Sequence, residues 1–176
     1  MPKSQSATDF SQGNPPQLFQ ALSIKQPWAA LIVHGVKTVE VRSWATSRSG
    51  TMLIHASKSP EANSDAWKLV TSPELAATAE LTGGVIGKVE LVECITYRTR
   101  EEFVADRDRH RAGPEWFKPV RYGFVLANPK RVTFVPWSGN TSFFGVTATL
   151  KTLRTQKPKR TSVSKYLIRL PEDQTR

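Results

Sequence analysis

Cysteine is nearly absent: Cys94 stands alone among 176 residues. An internal disulfide is therefore impossible, which fits a reducing, cytoplasmic setting. Histidine is scarce as well. His34, His55, His110 and Cys94 fall at no metal-ligand spacing, so no metal and no other cofactor is expected. No apolar run approaches the roughly 18 residues that a membrane helix needs. The polar stretch Met1 to Gln17 lacks the apolar segment of a secretory signal, so no membrane partner is expected either. There is no glycine-rich phosphate loop, no Ser-His-Asp spacing that sequence alone supports, and no internal repeat. Disulfide scaffolds, zinc proteins, nucleotide-loop hydrolases and membrane spans are set aside on these grounds.

Acidic residues are also in short supply. Fifteen Asp and Glu face 25 Lys and Arg, a net charge of +10. The excess is uneven: residues 1–17 are neutral, residues 18–150 carry +4 and residues 151–176 carry +6. A positive balance attracts polyanions, of which nucleic acid is the commonest. With 39% hydrophobic residues, five Trp and eight Phe, one domain with its own core is expected. The expected division is a disordered lead-in at 1–17, a folded domain at 18–153 and a basic tail at 154–176. The tail cations, among them Lys157, Lys159, Arg160 and Lys165 with Lys151 and Arg154 just before, would add sequence-independent affinity for phosphates.

Along the domain, residues 20–24 read as a strand. Pro27 opens a short apolar helix, Trp28 to Val33, and Gly35 fits just past its end. Residues 38–42 alternate Val39 and Val41 with Thr38, Glu40 and Arg42, giving a strand with one apolar and one charged face. Residues 51–56 form a further strand, and residues 59–80 two short helices broken at Ser72-Pro73. Residues 85–95 are the longest strand and 100–111 a charged surface helix. Strands at 122–127 and 131–135 are expected on either side of a turn at Asn128-Pro129, and 142–150 is a closing strand. Tyr166 to Ile168 could dock as a last short strand. About six short strands with short flanking helices predict an α+β fold built on a small β-barrel.

These residues resemble a known family. The run Leu22-Ser23-Ile24-Lys25-Gln26-Pro27-Trp28-Ala29, followed by Gly35-x-Lys37-x-x-Glu40-x-Arg42, is similar to the ASCH domain, a member of the PUA-like superfamily of small β-barrels. Ile54-His55-Ala56-Ser57-Lys58, Tyr122 to Leu126 and Gly139 to Val146 extend the resemblance over residues 20–150. It implies a pseudo-barrel with a ligand cleft beside its first helix, and binding of RNA or of modified nucleosides. Some members resemble amidohydrolases that deacylate the exocyclic nitrogen of cytidine, and others resemble ribonucleases. In the amidohydrolase branch the signature lysine is followed three positions later by a threonine nucleophile, with a glutamate from a later strand. Lys37 holds the lysine position and Glu90 matches the later glutamate, but Glu40 stands where the hydroxyl is needed.

The expected ligand-binding residues are Ser23, Lys25, Gln26, Trp28, Lys37, Glu40, Arg42, Trp44 and Lys58. Lys37 offers a point charge to a phosphate or a base if desolvated. Glu40 can accept from a base amino group, as carboxylates do for cytosine, or pair with Lys37 or Arg42. Arg42 can fork onto a phosphate or brace a neighbouring acid. Lys25, Gln26 and Ser23 sit at a strand-to-helix connection that favours anions. Trp28 and Trp44 can stack on bases or pack the core. Lys58 ends a strand with a positive charge, whereas His55 reads as structural, and Phe143-Phe144 as core. The leading expectation is a binding module for RNA or single-stranded nucleic acid, with a cationic cleft for a nucleotide or modified base. The alternative is a hydrolase of N4-acylcytidine-type nucleosides or a ribonuclease, using Lys37 with Glu40 or Glu90. A protein-interaction adaptor is a third. Nothing in the residues speaks to oligomeric state.

Overall fold

In the computed structural model, which describes residues 15–62, 64–149 and 152–155, the first strand is longer than its apolar centre suggested. β1 runs Gln17–Ile24, and α1 follows at Trp28–Val33. All six residues of α1 are buried, as expected of a helix that is apolar all round. Gly35 takes up φ +77° just beyond it, the left-handed conformation that ends helices and suits glycine. β2 is Val39–Arg42, β3 is Gly50–Ala56, and two short helices, α2 at Ser64–Trp67 and α3 at Pro73–Ala79, occupy the segment expected to hold them.

Three of the expected elements take a different form. The charged segment after β4 (Gly84–Tyr97) is two helices, α4 at Arg100–Ala105 and α5 at Arg107–His110. Thr99 and Glu102 form a reciprocal capping box at the start of α4, and Arg111 ends α5 at φ 61°. A 3₁₀ turn at Pro114–Trp116 leads to β5, Arg121–Pro136. β5 is one continuous strand where two were expected. Lys130 pairs with Lys88 and Ala127 with Glu90, so Asn128 and Pro129 together oppose Val89 alone. Two residues against one make a bulge: Asn128 supplies the positive φ of 49°, and Pro129, which cannot donate to the ladder, sits where none is needed. The last strand, β6, is Phe143–Ala148. Leu150, Lys151 and the stretches 1–14 and 156–176, with most of the expected lead-in and tail and the possible strand at Tyr166, lie outside the described residues.

The six strands form one sheet in the order β2-β5-β4-β3-β1-β6. β1 and β3 are parallel neighbours and every other pairing is antiparallel. The fold is α+β, as expected, and barrel-like rather than closed, since no ladder joins edge strands β2 and β6. The sheet curls around α1, which packs on α3, β3, β4 and β5. The curl brings Phe124 of β5 and Phe143 of β6 into a stack with centroids 6.0 Å apart, although three strands separate β5 from β6. Trp44 packs edge-on to both, at 5.1 and 5.4 Å. Successive residues of a strand face opposite ways. Leu22, Ile24 and Ile54 accordingly join α1 in the main core, while Ala21, Leu53 and Val146 build a smaller one behind it.

Candidate functional site

The parallel pairing of β1 and β3 sets Ser23 beside His55. His55 Nε2 lies 3.0 Å from the Trp137 carbonyl, which can only accept, so that nitrogen carries the proton. In the neutral ring Nδ1 is then an acceptor, and the Ser23 hydroxyl donates to it at 3.0 Å. Ser23 Oγ accepts in turn from the Asn140 amide at 3.2 Å. The three bonds fasten the loop between β5 and β6 over the ends of β1 and β3. Gly139 is required there: a Cβ on it would lie 2.5 Å from Ser23 Oγ and 2.6 Å from His55 Cε1. The family-like strand residue His55 is thus held at both ring nitrogens, and it also lines the cleft described below.

Edge strand β2 reaches the same place from the other side. Glu40 and Arg42 share a face, as their spacing of two requires, and Glu40 Oε1 lies 3.3 Å from Arg42 Nε. Arg42 Nη2 donates to the Ser23 carbonyl at 2.6 Å. This contact links β2 to β1 across the open side of the sheet, where no backbone ladder exists.

Lys37 does not reach the cleft. Its ammonium donates to the Val39 and His110 carbonyls, at 2.7 Å each, and lies 3.4 Å from Glu40 Oε2. Two carbonyls and a carboxylate thus surround the ammonium. The residue is 3% exposed, and its Nζ sits 5.2 Å from the centre of the Trp28 ring. Burial pushes its pKa down from the ordinary lysine value, the Glu40 carboxylate opposes that, and the Arg42 charge adds to it. The expectation of a lysine offered to a phosphate is corrected here, because the ammonium is buried and paired inside the protein. Gln26 is corrected on the same ground. It is fully buried; its Nε2 donates to the Thr78 and Leu81 carbonyls and its Oε1 accepts from the Ala30 amide. It ties the start of α1 to α3.

Between these parts lies a cleft of about 670 Å³, within the size range of small-ligand sites. Six of the nine expected binding residues line it: Ser23, Lys25, Trp28, Glu40, Arg42 and Lys58. Lys25 is more than half exposed and stands 3.8 Å from Glu61, a pairing that solvent makes weak. Trp28 is 8% exposed, its ring meets Trp116 edge-on at 6.1 Å, and its indole N–H has no acceptor. Trp44 lines an adjoining cavity instead. Glu90 is remote. It pairs with Thr51, whose hydroxyl donates to it at 2.8 Å, five residues along β3 from Ala56 and the cleft. Lys37, Glu40 and Glu90 are therefore not brought together as a catalytic trio.

Trp116 and Ser138, which the sequence did not single out, also line the cleft, together with Gly139, Asn140 and Thr141 of the segment that extended the resemblance. Trp116 follows Gly113-Pro114, a turn signal that ended the preceding helix but gave no hint of a return to Trp28. Among the described residues no cluster of His, Cys, Asp and Glu could hold a metal ion, and no helix is long and apolar enough to cross a membrane.

The family model of the ASCH domain matches residues 22–136, which include both cleft-forming strand ends, α1 and all of β2. This chain belongs to the ASCH domain family. It is 30% identical over 127 residues to human activating signal cointegrator 1 and 29% identical over 127 residues to its mouse counterpart. Those matches cover 68% of the chain but 21% of either relative, so the chain spans about a fifth of the length of these relatives. Among solved structures, ASCH from Zymomonas mobilis superposes with a TM-score of 0.53 at 14% identity, covering 72% of this chain and 86% of that one. A mutant form of the same protein gives a TM-score of 0.52 at 14% identity, over 72% and 88%. At that identity the likeness extends to the fold, and it is the PUA-like ASCH fold that the sequence resemblance implied.

Proposed function

We propose that this ASCH domain is a nucleic-acid-binding module whose cleft takes one unpaired nucleotide of RNA or another single strand. The observation that carries the reading is the composition of the cleft. Trp28 and Trp116 form an aromatic wall, Glu40 is a carboxylate held in place by Lys37 and Arg42, and the cations of Lys25 and Lys58 stand at the lining. Each part answers a part of a nucleotide. Aromatic surface accepts the face of any base, a contact worth ~1–3 kcal/mol in single-strand binders. A fixed carboxylate accepts from an exocyclic amine. Exposed lysines meet phosphate without needing a fixed geometry. A base must leave its stack to enter such a pocket, which favours unpaired nucleotides. The net charge of +10 supports long-range attraction of the strand.

The test is fluorescence-polarisation binding of a labelled single-stranded RNA across a salt series. Affinity is expected to fall as salt rises, and Lys25→Ala with Lys58→Ala to flatten that dependence by about two phosphate contacts' worth of slope. Absence of binding to RNA and to single-stranded DNA at low salt would overturn the proposal.

A further inference from the structure

A second cavity, of about 630 Å³, opens directly beside the cleft. The two share Val41, Arg42, Trp116 and Thr141 as common lining, so they adjoin as compartments of one groove. Each is large enough for one small ligand. Their charges differ. The cleft holds two carboxylates, Glu40 and Glu61, beside its cations. The lining of the second compartment has Arg42 and Arg121, the hydroxyls of Ser43, Thr141 and Ser142, and no carboxylate.

Arg121 is the distinctive group. Its Nε donates to the Trp116 carbonyl at 3.1 Å, which fixes the guanidinium against the turn that carries the aromatic wall. Among the described residues no carboxylate pairs with it, and its two terminal nitrogens have no partner. An arginine anchored by one edge with its fork open suits bidentate recognition of a phosphate. Arg42, by contrast, is ion-paired with Glu40 at 3.3 Å and has committed Nη2 to the Ser23 carbonyl.

We infer that the second compartment receives a phosphodiester of the bound strand, gripped by Arg121, so that the groove takes at least two consecutive nucleotides and runs from Glu40 towards Arg121. The inference rests on the cleft's binding a nucleotide and adds to it a direction and a phosphate site. The acid-free compartment favours a phosphate more than the cleft does, where Glu40 and Glu61 offset the cations, whereas the amine-bearing edge of a base favours the carboxylate of Glu40.

Calorimetric titration of the protein with cytidine, 5′-CMP, 3′-CMP and the dinucleotide CpC tests it. CpC is expected to bind at least about tenfold more tightly than cytidine, the gain of a charge-assisted arginine–phosphate contact. Arg121→Gln should erase the difference in affinity between CpC and cytidine. Arg121→Lys, which keeps the charge and loses the fork, should fall between. Equal affinities for cytidine and CpC in the unaltered protein, or a CpC advantage that survives Arg121→Gln, would overturn the inference while leaving the cleft intact. A gain seen with one CMP and not with CpC would overturn the strand and leave a terminal-phosphate site. If none of the four ligands bound, the reading of the cleft itself would fall. The comparison of ligands on the unaltered protein stands even if an Arg121 variant does not fold.

Discussion

Replacing Lys37 by methionine keeps most of its stem over Trp28 and removes the ammonium. In the structure that ammonium serves the Val39 carbonyl, the His110 carbonyl and the Glu40 carboxylate at once. All three oxygens lose a donor, in a region where Glu40 is only 8% exposed. Breaking one side of a buried ion pair costs about 3–5 kcal/mol, because the remaining charge stays uncompensated. Arg42 still stands 3.3 Å from Glu40, so the lower end, about 3 kcal/mol, is expected. For a chain of this size that amounts to a fall of roughly 6–12 °C in midpoint, a large share of a stability of about 5–15 kcal/mol. Urea or thermal unfolding followed by circular dichroism measures it. Adding Glu40→Gln should recover part of the loss, since the buried charge that Lys37 balanced is then gone, and the double-mutant cycle should show a coupling of about 1 kcal/mol or more. If Lys37→Met instead left the midpoint within about 1 °C while abolishing RNA binding, the placement of Lys37 beneath the cleft would be refuted, and the side chain would have to meet the ligand.

Other expectations follow from the same geometry. His110 is buried, donates through Nε2 to the Phe103 carbonyl and accepts at Nδ1 from the Ala112 amide, and burial holds its pKa below the ordinary histidine value. The unfolded chain therefore binds the proton first, so stability is lost as pH falls through about 6.5; unfolding midpoints at pH 7 and 5 should show the drop, and His110→Gln should lessen it. Gly139→Ala forces a methyl against Ser23 and His55 and should release the loop over the cleft, seen as faster amide exchange at Asn140 and weaker nucleotide binding. Thr99→Ala removes the hydroxyl that caps α4 and should cost about 1 kcal/mol in chemical denaturation without changing affinity. Trp116→Ala should weaken single-stranded RNA binding by about 1–3 kcal/mol in the polarisation assay, an effect that a purely structural tryptophan would not produce at unchanged fold.

Much of the candidate cleft's lining was legible because it depends on short-range periodicity. The alternation in β2 placed Glu40 and Arg42 on one face, and the strand-to-helix run from Ser23 to Trp28 marked the mouth of the cleft. Lys37 precedes β2. Strand alternation says nothing of its direction, and the carbonyl that captures it comes from His110, 73 residues away. Gln26 looked available for the same reason: its partners, Thr78 and Leu81, come from α3 and the turn beyond it. Glu90 matched a motif by type, but its register opposite Thr51 puts it at the wrong end of the sheet. The Asn128-Pro129 pair is a strong turn signal, and only pairing with β4 shows that it is a bulge. Trp116 and Arg121 come to line the two cavities through the curl of the sheet, which leaves no periodic trace in the chain.

The most direct measurement is a ¹H–¹⁵N titration with a short single-stranded RNA, following backbone amides and the five tryptophan indole signals. Binding in the cleft predicts shifts at Ser23, Lys25, Glu40 and Asn140 and at the Trp28 and Trp116 indoles, growing towards Arg121 as the strand lengthens from one nucleotide to two. Shifts confined to the tail after residue 155 or to the far end of the sheet near Glu90, with the cleft unmoved at saturation, would contradict it.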